Sequence, residues 1–223
     1  MGRLGVILGS NAIGTSGAEV ARAAESAGAV VLQRHGADSY VLPHRIDHAA
    51  NLRSLADAGC DRVLAIGSVG SLRAEIEVGS FVCPDDFIAL QLLATTLDDA
   101  RAHTTPGFDD AWRSEVLAAW EVAVPGGLHD GGIYWQTNGP RFETPAEIRL
   151  MAAHADVVGM TLAAECVVAA ELGLPYAAVC IVDNMANGVG ARPLTIEELE
   201  SDRAANAARL REGLAAVLPG LTG

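Results

Sequence analysis

An aromatic ring and a carboxylate, Phe142 and Glu143, stand side by side just before a strong helix start. Thr144 is a preferred N-cap residue, Pro145 suits the first helical position, and Glu147 has capping-box spacing. A planar face beside a fixed hydrogen-bond acceptor suits a flat heterocycle with an N–H edge. The alternative is an ordinary capped helix with Phe142 in the core and Glu143 in solvent.

A second polar group, Asp183 and Asn184, follows the apolar stretch 175–182, which is predicted to be a buried strand. Polar side chains at the end of such a strand are unexpected for packing and natural for ligand contact. In open α/β sheets, ligands bind beyond the carboxyl ends of the strands. These two residues are therefore candidates for a binding site.

Three other predicted strand ends carry groups that could bind an anion. Arginine offers a bidentate N–H fork and histidine a second donor, while small residues let a ligand approach backbone N–H groups. Taken alone, each set is also explained as an ordinary polar turn. The sets are Ser10 after the strand 4–8, Arg34 with His35 after the strand 29–33, and Gly67 with Ser68 after the strand 62–66.

These candidate residues are positioned by an alternation of strands and helices. Short apolar, β-branched runs predict strands, and apolar residues at helical spacing predict helices. The alternation predicts closely packed α/β layers in a single domain over residues 1–223. Predicted strands cover 4–8, 29–33, 40–42, 62–66, 79–84, 87–90, 131–137, 156–161 and 175–182; predicted helices cover 16–28, 47–59, 111–123, 145–153, 162–172 and a C-terminal stretch from 195.

Composition and charge exclude several classes of function. The net charge of -13 argues against a nucleic-acid partner, which needs a basic face. No apolar run is long enough to span a membrane. The four cysteines have no CxxC spacing and no ligand-spaced histidine, which argues against a metal site. They fit reduced thiols in a cytoplasmic protein.

The order of motifs along the chain is distinctive. It runs from Gly-x-x-x-Gly-Ser at 5–10 through Arg-His-Gly at 34–36, Gly-Ser-Leu-Arg at 70–73, Gly-Pro-Arg-Phe-Glu-Thr at 139–144 and Val-Gly-Met-Thr at 158–161 to a strand ending in Asp183-Asn184. This order resembles the trimeric purine nucleoside phosphorylase and methylthioadenosine (methylthioinosine) phosphorylase family over nearly the whole chain. The resemblance implies a three-layer α/β fold with a mixed, twisted central sheet flanked by helices, and a homotrimer.

The resemblance also implies reversible phosphorolysis, in which inorganic phosphate attacks C1′ of a purine nucleoside and no cofactor takes part. It implies catalytic roles for Asn184, Glu143 and His35. The remaining substrate contacts that it implies are Ser10, Arg34, Gly67, Ser68, Val69 and Thr161 for phosphate, Phe142, Gly159 and Met160 for the sugar or base, Asp183 beside the base, and Ile196 and Leu199 near the 5′ group.

Substrate choice keeps several alternatives open. Asn184 and Glu143 favour a 6-oxopurine, because Glu143 can accept from its N1–H; an assignment to Asp183 instead of Asn184 would favour 6-aminopurines. Ile196 and Leu199 suit a 5′-methylthio group, so 5′-methylthioinosine stands beside inosine and guanosine. The alternatives are a 5′-methylthioadenosine phosphorylase, a nucleosidase that uses water, and a non-catalytic purine-binding protein on the same fold.

Overall fold

The computed structural model describes residues 2–9, 15–36, 39–124, 127–190 and 196–222, with side chains for all of these except 15–17 and 196–204. The predicted helix caps at Ser16 and Thr195 lie outside the described residues and side chains. Predicted contacts from Ser10 and from the side chains of Ile196 and Leu199 lie outside them too.

Strands and helices alternate along most of the chain. The described strands are β1 (Arg3–Leu8), β2 (Val30–Gln33), β3 (Cys60–Ser71), β4 (Phe81–Cys83), β5 (Asp86–Ile88), β6 (Leu128–Asp130), β7 (Ile133–Gln136), β8 (Val157–Gly159) and β9 (Tyr176–Met185). The described helices are α1 (Thr15–Ser26), α2 (His48–Asp57), α3 (Asp110–Ala123), α4 (Pro145–Ala152), α5 (Leu162–Glu171) and α6 (Ile196–Leu221), with short 3-10 turns at Pro43–Arg45 and Ala100–Ala102.

The strands of the described residues form one mixed sheet. Its longest path runs β5-β7-β8-β3-β9-β4-β6, and β1 joins β3 beside this path with β2 next to it. β3 is parallel to β1 and β9 but antiparallel to β8, and β4 is antiparallel to β9. This is the mixed central sheet that the sequence predicted.

Helices cover both faces of the sheet. Side chains alternate along a strand, so Leu64 and Ile66 of β3 pack with α1, α3 and α6, whereas Val63 and Ala65 pack with α2 and α5. β1 and β9 alternate in the same way. A third apolar cluster places α4 against β7 and β8 through Ile148. The predicted three-layer α/β arrangement is confirmed.

Two strands run further than predicted. The strand predicted at 62–66 continues through residues 67–71 as part of β3, and β9 includes Asp183 and Asn184. The glycines of β3 serve close packing. A Cβ on Gly67 would come within 2.9 Å of the Leu162 side chain, and one on Gly70 within 3.3 Å of Asn184 Nδ2.

Two further predictions of strands differ from the structure. The stretch 40–42 was predicted to be a strand but is irregular, because it folds back locally: Val41 N–H donates to the His35 carbonyl at 2.7 Å. The strand β6 was missed, because its three residues carry no alternating pattern and pair only with the short β4 in the described sheet.

The start of α4 has the predicted capping box. Thr144 Oγ1 accepts from the Glu147 N–H at 3.3 Å, and Glu147 Oε2 accepts from the Thr144 N–H at 2.7 Å. Arg141 adds a forked ion pair to the Glu147 carboxylate, at 2.7 and 2.8 Å. These bonds fix the loop that carries Phe142 and Glu143.

Thr144→Ala should lower the free energy of unfolding by about 1 kcal/mol, because one helix N–H loses its cap. Urea unfolding followed by circular dichroism measures this. Thr144→Ser keeps the capping hydroxyl and is the matched control. An equal loss in both variants would contradict the role of the cap.

Candidate active site

A cavity of about 220 Å³ opens where β3 changes its neighbour on one edge. The first half of β3 pairs with β1, whereas Gly70 and Ser71 pair with β8. Residues 66–69 lie between the two ladders, and β9 pairs along the opposite edge. The cavity is lined by Arg34, His35, Tyr40, Leu42, Pro43, Ser68, Val69, Gly70, Pro140, Phe142, Glu143, Val158, Gly159, Met160, Thr161, Asn184, Ala186 and Asn187.

A bulge in β9 separates the roles of Asp183 and Asn184. Val69 pairs with Val182 and Gly70 with Asn184, so Asp183 is the extra residue. Asn184 lines the cavity, but Asp183 is fully buried and accepts from Asn206 Nδ2 at 2.8 Å and from the Ser68 hydroxyl. The structure therefore does not bring Asp183 to the cavity wall.

The Asn184 amide has a defined orientation. Its Nδ2 donates to the Met185 carbonyl at 3.0 Å, and a carbonyl oxygen can only accept, so this atom is the nitrogen. One N–H of the amide and its oxygen remain for a ligand. The side chain can thus donate to a ring nitrogen or to a carbonyl oxygen.

The Glu143 carboxylate is also held in place. It is 8% exposed, and its Oε1 accepts from Thr137 Oγ1 at 2.6 Å. The backbone carbonyl of Glu143 accepts from Asn187 Nδ2 at 2.9 Å, which ties its loop to the segment after β9. Phe142 lines the same cavity with a partly exposed ring. A fixed acceptor beside an aromatic face is therefore present, as predicted.

The start of α5 is capped by β7. The Tyr134 hydroxyl accepts from the N–H groups of Thr161 and Leu162 at 3.1 and 3.3 Å, and Gln136 Oε1 accepts from the Ala164 N–H at 3.1 Å. Burial raises the pKa of Tyr134, so its hydroxyl stays neutral. The Thr161 side chain makes no capping bond and lines the cavity.

Arg34 lies at the cavity but is paired on its inner side. Its guanidinium forms a fork with Glu165, Nε to Oε1 at 2.5 Å and Nη2 to Oε2 at 2.9 Å, and Nη1 donates to the Ile66 carbonyl at 2.8 Å. Burial alone would raise the pKa of Glu165, but the charge and hydrogen bonds of Arg34 outweigh it and lower that pKa. The pair is therefore ionised.

Two more polar side chains lie beside the Glu165 carboxylate. Tyr176 donates its hydroxyl to Oε2 at 2.7 Å, and His48 Nδ1 lies 3.9 Å from Oε1 with no hydrogen-bond partner among the described residues. Sequence analysis missed all three residues. The available signal was Glu165 itself, a carboxylate with apolar residues on both sides of it within helix α5.

His35 presents an acceptor to the cavity instead of the predicted donor. Its Nδ1 lies 2.8 Å from the Val41 carbonyl and must carry the proton of that hydrogen bond. Burial, together with the positive charge of Arg34 and the neighbouring His48, lowers the pKa of His35. The ring is therefore neutral near pH 7, and its Nε2 carries a lone pair.

The structure brings most of the predicted site residues together. Those at the cavity wall are Arg34, His35, Ser68, Val69, Phe142, Glu143, Gly159, Met160, Thr161 and Asn184. Gly67 lies behind the wall against Leu162, as Asp183 does against Asn206. Sequence analysis missed wall residues from the irregular stretch 40–43, which has no periodic pattern. The ligand contacts of all these residues stay predictions.

The described residues contain neither a cluster of metal ligands nor a helix that could span a membrane. Within them, no three His, Cys, Asp or Glu side chains are grouped so that they could hold a metal ion. No helix in the described part of the chain is long and apolar enough to cross a membrane.

Comparison with known proteins gives relatives at substantial identity. A probable 6-oxopurine nucleoside phosphorylase of Archaeoglobus fulgidus is 40% identical over 177 residues, 79% of this chain and 73% of that protein. A probable S-methyl-5'-thioinosine phosphorylase of Methanosarcina acetivorans is 39% identical over 174 residues, 76% of this chain and 66% of that protein.

Solved structures share the fold. A methylthioadenosine phosphorylase from Schistosoma mansoni, in complex with adenine, superposes with a TM-score of 0.79 over 98% of this chain and 91% of that one, at 21% identity. The family described as the phosphorylase superfamily matches residues 12–219. The resemblance seen in the motifs is thereby confirmed, and the chain belongs to the phosphorylase superfamily.

Proposed function

We propose that this protein catalyses phosphorolysis of a 6-oxopurine nucleoside, giving the free base and a ribose 1-phosphate. The observation that carries this proposal is that one cavity contains the oriented groups Glu143 and Asn184 together with Arg34 and His35. The names of relatives at 35–40% identity, 6-oxopurine nucleoside and S-methyl-5'-thioinosine phosphorylases, support it.

The preference for a 6-oxo base follows from donors and acceptors. A 6-oxopurine has an N1–H group that can donate a hydrogen bond to the Glu143 carboxylate. In a 6-aminopurine, N1 has a lone pair instead, so two acceptors would face each other without a hydrogen bond. Leaving buried polar groups unpaired discriminates strongly against the wrong substrate. Asn184 can donate to N7 or to O6. A 5′-methylthioadenosine phosphorylase fits this donor pattern less well.

The chemistry needs positioning and charge stabilisation more than covalent catalysis. A phosphate oxygen forms a bond to C1′ while the bond from C1′ to N9 breaks, and its electron pair passes to the purine. The N–H of Asn184 stabilises the negative charge that develops on the departing base. Arg34, His35, Thr161 and the backbone near Ser68 hold phosphate in line for attack.

The 5′ group of the substrate stays open between a hydroxyl and a methylthio group. The names of the relatives include both classes, and the side chains predicted to contact this group, Ile196 and Leu199, lie outside the described ones. Inosine, guanosine and 5′-methylthioinosine are therefore all candidates. Inorganic phosphate is the proposed co-substrate, with no cofactor.

We also infer a homotrimer acting in the cytoplasm within purine salvage. Leu90 and Leu93 are 77% and 93% exposed. Leu90 lines a second cavity of about 370 Å³ that shares Glu143 with the first. A second copy packed on these leucines would bury apolar surface beside the active site. The buried free thiols fit a reducing compartment.

Phosphate-dependent release of hypoxanthine from inosine is the expected result of a substrate panel. The panel compares inosine, guanosine, adenosine and their 5′-methylthio forms, each with and without phosphate, with base release followed by absorbance. Release without phosphate would indicate a nucleosidase. Binding without turnover would indicate a purine-binding protein, and a preference for 5′-methylthioadenosine would overturn the 6-oxopurine assignment.

Asn184→Ala should lower kcat for inosine by about 100- to 1,000-fold, because the departing base loses its hydrogen-bond donor. Circular dichroism should show an unchanged fold. Asn184→Asp should raise the ratio of adenosine to inosine activity, since a protonated carboxyl can donate to N7 and a carboxylate can accept from a 6-amino group. Near-normal turnover of the alanine variant would remove Asn184 from the mechanism.

The particle mass should be three times the chain mass of 23.0 kDa in size-exclusion chromatography with light scattering. Leu93→Asp should shift the mass towards the monomer, because a charge would be buried at the proposed interface. Val122→Asp is the matched control, since Val122 on α3 is an exposed apolar residue too, at 86%. A monomeric wild-type protein would contradict the proposed assembly.

A further inference from the structure

We propose that Glu165 determines how the site takes up its anion: by neutralising Arg34, it makes the site bind an oxyanion together with one proton, which lies between the anion and His35 Nε2. This inference rests on the proposed function, because the anion concerned is the phosphate co-substrate. Glu165 touches no substrate and acts as a positioning residue through Arg34.

The positive charge of Arg34 is largely cancelled at the end of the cavity where the anion is proposed to bind. Arg34 is 3% exposed and Glu165 is fully buried, and their fork brings the two opposite charges into direct contact. Three N–H groups of the guanidinium bond to Glu165 and to the Ile66 carbonyl, out of the five that an arginine has. Arg34 can therefore offer N–H groups to an anion but little net charge.

The orientation of the His35 ring is fixed by its neighbours. Because Nδ1 donates to the Val41 carbonyl, Nε2 is the ring nitrogen left for a ligand. The ring is fixed by stacking on Tyr40, with centroids 4.8 Å apart. A neutral His35 then presents a lone pair, and a fully deprotonated oxyanion presents only lone pairs. A hydrogen bond between them requires one proton, which hydrogen phosphate can bring with it but which sulfate can obtain only by uptake from solvent.

Three titratable groups and one aromatic ring lie around His35. They are Arg34 at the end of β2, Glu165 on α5 and His48 on α2, with the Tyr40 ring stacked on one face. Burial and the positive charge of Arg34 lower the pKa of His35, so the ring is neutral near pH 7 before an anion binds. An arriving anion adds uncompensated negative charge, which favours protonation of the nearest base.

Glu165 is the decisive group because it cancels the fixed positive charge. Without its carboxylate, Arg34 would carry a full charge at the cavity and could balance an anion without a proton. With the carboxylate, the charge of the anion is balanced in part by proton uptake. The site should therefore bind oxyanions more weakly as the pH rises.

The test is isothermal titration calorimetry of sulfate and, in parallel, of phosphate, in two buffers with different ionisation enthalpies. Sulfate carries no proton near neutral pH, so any uptake belongs to the protein. Near pH 8, about one proton should be taken up for each sulfate bound, and affinity should fall about tenfold per pH unit above the pKa of His35. Heat that does not depend on the buffer would overturn the inference.

Three variants test whether His35 takes up the proton and whether Glu165 makes that uptake necessary. His35→Gln places an N–H donor at the same position without titration, so sulfate should bind without proton uptake. Glu165→Gln should flatten the pH dependence of binding, because the charge of Arg34 is no longer cancelled. His48→Gln is the control and should keep the uptake. Loss of uptake in His48→Gln, with retention in His35→Gln, would contradict the assignment.

The outcomes separate this inference from the proposed function. If neither sulfate nor phosphate binds and base release is independent of phosphate, the proposed function fails. If both bind and phosphate drives turnover but no proton is taken up with sulfate, only the inference about Glu165 and His35 fails. If Glu165→Gln does not fold, the number of protons taken up per sulfate by the wild type and by His35→Gln still tests whether a proton binds at His35.

Discussion

The buried ion pair between Arg34 and Glu165 is the constraint on which the cavity depends. Removing two charges from water is expensive, and it is offset here by a forked contact, by the Ile66 carbonyl and by the Tyr176 hydroxyl. The pair joins the end of β2 to α5. Gly9 adjoins it, since a Cβ there would lie 2.6 Å from Arg34 Nη1. Breaking one partner of such a pair typically costs about 3–5 kcal/mol.

The cavity lies where the strand next to β3 changes from β1 to β8. β1 and β8 pair with the same edge of β3, and residues 66–69 lie between the two ladders. Small residues let the backbones approach there, and the bulge at Asp183 turns Asn184 towards the opening. The site thus results from an interruption in sheet pairing, which agrees with the general location of ligands in α/β sheets.

Local patterns predicted those parts of the site that depend on local structure. The capping box at Thr144 and Glu147 fixed the position of Glu143 correctly, because its bonds join neighbours in sequence. The partner of Arg34 could not be predicted, because Glu165 lies 131 residues further along the chain. The end of β3 was predicted too early, at residue 66, because Gly67 lies within the strand and accommodates Leu162 of α5.

The two ends of the cavity differ in how their hydrogen bonds are prepared. At the base end, Thr137 orients Glu143 and Met185 orients Asn184, so acceptor and donor are fixed before a ligand arrives. At the anion end, Tyr134 already occupies two N–H groups at the start of α5, and Glu165 occupies much of Arg34. The helix terminus and the arginine therefore supply less positive potential than their types suggest. Under the proposed function, selectivity for the base would follow from rigid geometry, whereas under the inference drawn above anion binding would depend on the protonation state of His35.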